Sequence, residues 1–222
     1  MPPKQEKVFI LFSVRDDAKF LSHRETQTIW QRAFVRAAIP ISYSQGFNPR
    51  IKMSLPLPRN VGVASECELL VFSVSEHMEM DDLQNRLAGQ LPAGIGFIRS
   101  GYLPAKEKVL PCEASYNFYP YANVNVEELR EKIEELNETN EYVAERGLRG
   151  RHKARSLNIK ENIKKLEYRG NVIELTMEFS QTVTARLDEI ARAIGLDLTN
   201  DIEHVTRVAT RYEGTINDVL SL

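Results

Sequence analysis

The sequence predicts an α+β fold of two tandem ferredoxin-like (βαββαβ) domains, each an antiparallel sheet with helices on one face. Three observations predict it. Short runs rich in Val, Ile and Phe alternate with segments whose apolar residues recur at helical spacing. Across residues 7–103 these follow the order β-α-β-β-α-β. After a stretch of prolines and charges the same order starts again, and 222 residues leave room for two domains of roughly 100 residues each.

The first strand is Lys7–Val14, KVFILFSV. A helix follows, opened by Ser22 and Glu25 as an S-x-x-E capping box, in which each side chain bonds a backbone N–H at the other end of the first turn. Ile29, Trp30, Ala33, Phe34 and Ala37 form its buried stripe, and Pro40 ends it. Two β-like stretches come next, residues 41–57 and 66–76, then a helix opened by Asp81 and Asp82 and carrying Leu83, Leu87 and Leu91. Residues 94–103 close the first domain, 1–103, and residues 104–113 read as a linker. In the second domain, 114–222, residues 116–121 are a strand and Asn125 caps a helix with Val126, Leu129, Ile133 and Leu136 inside. Residues 141–147 are a strand, 146–165 a basic insertion, and 164–179 a hairpin turning at Arg169–Asn171. A helix with Leu187, Ile190, Ala191 and Ile194 ends at Gly195, and residues 204–212 form the last strand.

Composition narrows the function. Hydrophobic residues make up 42% and charged residues 27%, as in an ordinary folded protein. No run of about 18 apolar residues exists to span a membrane, and MPPKQEK lacks the apolar core of a secretory signal, so a cytoplasmic location is expected. Cys67 and Cys112 stand far apart, and His23, His77, His152 and His204 are scattered. Metal and cluster sites need closely spaced ligands, so no metal is expected. There is no phosphate-binding G-x-x-x-x-G-K-[ST] loop, no G-x-G-x-x-G after a strand and no G-x-S-x-G elbow. The net charge of −2 conceals segregation. Residues 127–145 hold eight acids against Arg130 and Lys132, while 146–169 hold nine Lys and Arg against Glu161 and Glu167. Residues 15–59 hold eight Lys and Arg against three acids. Two basic segments in a slightly acidic chain suit an anionic polymer, or else are solvated faces.

Three stretches are candidates for binding. In Tyr43–Gly62, Tyr43, Gln45, Gly46, Phe47, Asn48, Arg50 and Lys52 interleave aromatic, turn-forming and basic residues, with Arg59 adding charge. Such a mixture suits single-stranded RNA, whose bases stack on rings while cations meet phosphates. At the helix start, His23 and Arg24 place cations where the helix dipole favours anions, which a bound phosphate would reconcile; Arg32 and Arg36 lie off the buried stripe. In 146–165, Arg151, Lys153 and Arg155 read as cations of a mobile loop gripping a phosphate backbone. The acidic helix Glu127–Asn137 beside it could instead dock a protein or neutralise it.

The block from Phe20 to Val74 resembles the radical-SAM-linked protein family of bacteria. The matching features are Leu21–Ser22–His23, Arg32–Ala33, Arg36–Ala37, Tyr43–Ser44–Gln45–Gly46–Phe47–Asn48–Pro49, Leu57–Pro58, Val61–Gly62 and Ser65–Glu66. Weaker matches lie at Arg155–Ile163 and Thr206–Arg207, and Arg24–Glu25 stands where the family usually has Leu-Asp. Members are fused to or encoded beside radical S-adenosylmethionine proteins, often near genes for ribosomal proteins and an RNase E/G-type nuclease. The resemblance implies a non-catalytic RNA-binding accessory module in RNA or ribosome metabolism. S-adenosylmethionine and an iron–sulfur cluster would sit only in the partner, with no cofactor, DNA or membrane for this chain. Tandem ferredoxin-like domains also look like the CRISPR RNA-processing endoribonucleases. That likeness implies the alternative of metal-independent cleavage assisted by His23, Tyr43 and Lys52. A protein-only interaction subunit is the third reading.

Overall fold

The computed structural model describes residues 5–146, 155–179, 184–214 and 216–220. The fold is mixed α+β, built on antiparallel sheet with few helices. The chain forms two compact units, Met1–Pro111 with Thr210–Leu222, and Cys112–Ala209. The stretch 104–113 read as a linker already enters a strand at Pro111, and the last residues return to the first unit instead of closing the second.

In the first unit, β1 (Glu6–Val14), α1 (His23–Arg36), β2 (Met53–Ser54), β3 (Val63–Val74), α2 (Met80–Leu87) and β4 (Ile95–Leu103) follow in the expected order. β1 lies between β4 and β3, antiparallel to both, and β2 pairs with the outer side of β3. Val8, Ile10 and Phe12 of β1 pack with Trp30, Ala33 and Phe34 of α1 and Leu83 and Leu87 of α2. The rings of Phe12 and Trp30 meet edge-on at 5.0 Å. Phe9, Leu69, Val71 and Leu103 point the other way, where Tyr212 and Ile216 cover them; Ile216 opens α5 (Ile216–Leu220). A helix therefore lies on each face of this sheet, not on one face only. A sheet covered on both sides needs apolar residues at consecutive positions, which is why β1 and β3 read as continuous runs. Gly94 must be glycine: its φ is +83°, and a Cβ there would meet the Arg15 carbonyl oxygen at 2.6 Å.

The second expected strand is the largest departure in this unit. Of residues 41–57 only Met53 and Ser54 remain as β2, with isolated bridges at Ile41–Val74 and Tyr43–Ile51. Pro49, Pro56 and Pro58 cannot donate to a ladder, and they break the segment. The Ser42 and Lys52 backbones both bond Ser73, and between them residues 43–51 leave the sheet as a protruding hairpin.

The second unit holds β5 (Pro111–Pro120), α3 (Val126–Glu138), β6 (Val143–Arg146), β7 (Arg155–Asn158), β8 (Ile163–Arg169), β9 (Val172–Glu178), α4 (Leu187–Ala193) and β10 (Ile202–Tyr212), whose last three residues count with the first unit. Its strand order is β10-β5-β9-β8, with β6 and β7 as a separate pair. Burial alternates along β9, where Ile173, Leu175 and Met177 face inward. The β8–β9 turn is at Gly170 and Asn171, both at positive φ (55° and 68°), the geometry of a two-residue hairpin. The sequence does not predict strand β7. The stretch read as the second half of a mobile basic loop is ordered because Leu157, Ile159 and Asn162 are buried. Asn162 accepts the Ala185 N–H and donates to the Glu178 carbonyl. No helix among the described residues is long and apolar enough to cross a membrane.

Candidate nucleic-acid interface

Helix α1 begins as its sequence requires. Ser22 Oγ accepts from the Glu25 N–H at 3.3 Å, and Glu25 Oε2 accepts from the Ser22 N–H at 2.8 Å. The bonds from the Ser22 backbone and hydroxyl hold the Glu25 carboxyl below its ordinary range. The chain's own carboxylate thus occupies the start of the helix, where the sequence suggests a phosphate. The helix dipole is answered internally, and an external anion would meet Glu25.

Arg24, in that same first turn, lines a groove instead. Arg24, Gln27, Thr28 and Gln31 form one stripe of α1 and line a groove of about 510 Å³ with Tyr43, Pro49, Arg50 and Ile51 of the hairpin. Positions three and four apart share a helix face, so four polar residues at 24, 27, 28 and 31 must point the same way. The hairpin is shaped by hydrogen bonds from Ser44 N to the Arg50 carbonyl and from Arg50 N to Ser44 Oγ. Gly46, at φ +134°, lets it turn. The rim and the floor differ: Arg24, Tyr43 and Arg50 are exposed, whereas Gln27, Thr28 and Gln31 are half-buried. Among the described residues, neither Arg24 nor Arg50 makes an ion pair. At the hairpin's end Gln45, Phe47 and Asn48 are exposed, and the Phe47 ring lies fully in solvent.

The other expected residues divide. His23 adjoins the groove through Gln27, their Nε2 atoms 3.1 Å apart. Lys52 is not among the residues lining the groove, and its ammonium donates to Gln5 Oε1 at 2.8 Å. Arg32 and Arg36 lie about a third of a turn around α1, in a separate groove of about 330 Å³ with Ile29, Gln90, Leu91 and Pro92. There Arg36 Nε donates to Gln90 Oε1 at 3.1 Å. Arg59 is buried and structural, since its guanidinium donates to the carbonyls of Ala18, Lys19, Leu21, Asn60 and Val63. Arg151, Lys153 and the side chain of Arg155 lie outside the described residues.

Among the described residues of the second unit's basic run, Arg146, Lys164, Lys165 and Arg169 are paired with acids. Arg146 makes two bonds to Glu189, at 2.6 and 2.7 Å, and one to the Thr184 carbonyl. Glu189 is 3% exposed. Burial works to raise its carboxyl, but the bonds from Arg146 and the Arg186 N–H outweigh it and hold the group below its ordinary value. Lys164 pairs with Glu113 and Glu178, and Lys165 with Glu174 and Glu167. The partners of these cations are acids on β5, β8, β9 and α4, not on the acidic helix α3. Sequence reasoning missed Gln27, Thr28 and Gln31; the signal was their spacing from Arg24, off the buried stripe.

No curated protein matches the chain. One family model does, that of an uncharacterized protein conserved in bacteria, over residues 7–191, a span that includes both faces of the groove and most of the second unit. By that match the chain belongs to the DUF2344 family.

Proposed function

We propose that this protein is a non-catalytic RNA-binding accessory module. It would work with a radical-SAM partner in RNA or ribosome metabolism, and its site is the groove between α1 and the 43–51 hairpin. The observation that carries the reading is the convergence of two cations without ion pairs, Arg24 and Arg50, with the exposed ring of Tyr43 on one open groove. Cations at the rim suit phosphates, and an aromatic face between them suits a base. Phe47 strengthens it. A fully solvated Phe forgoes about 1.5–3 kcal/mol of burial, which a stacked base would recover. The radical-SAM partnership rests on the family resemblance of the Phe20–Val74 block. The reading of two ferredoxin-like domains is supported by the matching strand orders, β4-β1-β3-β2 and β10-β5-β9-β8.

Fluorescence anisotropy with single-stranded RNA at increasing salt tests the binding. Affinity should fall log-linearly with salt. Each phosphate neutralised on a single strand contributes about 0.7 to that slope, so replacing Arg24 and Arg50 together by Ala should flatten it by about 1.4. Absence of binding at the lowest salt would end the RNA reading and leave the hairpin as a protein-docking element.

A further inference from the structure

We infer that the α1 groove selects an unpaired adenine, read by the side-chain amide of Gln31. This rests on the RNA reading above and adds a base preference to it. The groove, about 510 Å³, is of single-nucleotide scale. Its rim holds the groups that bind any nucleotide alike: Arg24 and Arg50 for phosphates, Tyr43 for a stacked base. Discrimination falls to the half-buried floor, where three polar side chains lie, two already engaged. Thr28 Oγ1 donates to the Arg24 carbonyl at 2.9 Å, and the Gln27 amide nitrogen lies 3.1 Å from His23 Nε2. Gln31 alone on the floor has a side chain without a hydrogen-bond partner among the described residues.

A primary amide offers one donor beside one acceptor. Adenine presents the complement, N7 as acceptor and the N6 amino group as donor, and so takes a two-point contact from Gln. Guanine presents two acceptors on that edge, which call for a cationic fork. Uracil presents an O4 acceptor there and cytosine an N4 donor, so each meets half of the amide. The geometry therefore favours adenine, with the Gln31 amide nitrogen donating to N7 and its oxygen accepting from N6–H.

The test uses short oligouridylates carrying a single A, C or G at the centre, titrated against the full chain by anisotropy. The A-containing strand should bind about tenfold tighter than plain oligouridylate. Gln31→Ala should remove that advantage, weakening the A-containing strand more than plain oligouridylate until the two bind alike, and should leave the salt slope unchanged. Equal melting of the variant and the parent would exclude a folding defect. Equal affinity for all four strands, an adenine preference that survives in Gln31→Ala, or a preference for G would each overturn the inference and leave the RNA reading standing. If no strand binds at low salt, the RNA reading itself falls.

Discussion

Each unit sets its first α-helix beside a later segment of its own chain, α1 beside the 43–51 hairpin and α3 beside β8, and each leaves a groove there, of about 510 and 580 Å³. Both grooves contain two arginines and a tyrosine. In the first, Arg24 and Arg50 have no carboxylate partner among the described residues. In the second, the Arg130 guanidinium lies 4.8 Å from the centre of the Tyr168 ring, and Arg169 pairs with Glu167 at 3.1 Å. Glu134 and Glu138 line that groove as well. The lesson is that local composition does not fix a surface field. The run 146–169 is the more basic in sequence, yet several of its cations are spent on neighbouring acids, while the less basic first segment presents cations to solvent.

The comparison breaks first if the pairing in the second unit is dispensable. Arg146→Ala strands a buried Glu189 carboxylate and should lower the unfolding free energy by about 3–5 kcal/mol, read from urea melts. A loss near zero would mean that Arg146 is a spare cation after all. The parent's pH profile carries the same sign. Because the folded Glu189 carboxyl lies below its ordinary 4.5, its contribution is full above that pH and is lost as pH falls through the lower folded value.

The tyrosines give a smaller contrast. Tyr43→Ala should weaken single-stranded RNA binding by about 1–3 kcal/mol, the worth of one stacked base. Tyr168→Ala should leave it unchanged, since that ring already carries Arg130. Equal effects in anisotropy would place RNA on both grooves. The smallest expected effect sharpens the difference further: Arg130→Ala removes the cation–ring interaction, which should cost about 0.5–1 kcal/mol of stability and leave the RNA salt slope untouched.

Much of the fold is legible because its signals are local. The Ser22–Glu25 box, the Asn125 cap and the Gly170–Asn171 turn each involve residues within a few positions of one another, and each stands where the sequence places it. The shape of the hairpin is not legible in this way. Tyr43, Phe47 and Arg50 stand out in the sequence as an aromatic–basic mixture, but their departure from the sheet depends on Ser42 and Lys52 both bonding Ser73, distant in sequence. The buried role of Arg59, bonded to carbonyls about 40 residues earlier, gives no signal that distinguishes it from Arg50.

The sequence by itself determined the order of strands and helices in the first unit, the starts of α1 and α3, and the stretch that carries the candidate site. Periodicity and capping depend on neighbours within a turn or two. Only the tertiary structure decided which cations face solvent and which are consumed. Arg146 meets Glu189 across 43 positions, and Arg24 meets Arg50 across a groove whose two walls come from different elements. A charge acquires or loses its partner through the tertiary packing of the folded chain, and the side-chain pattern of one segment does not contain that packing.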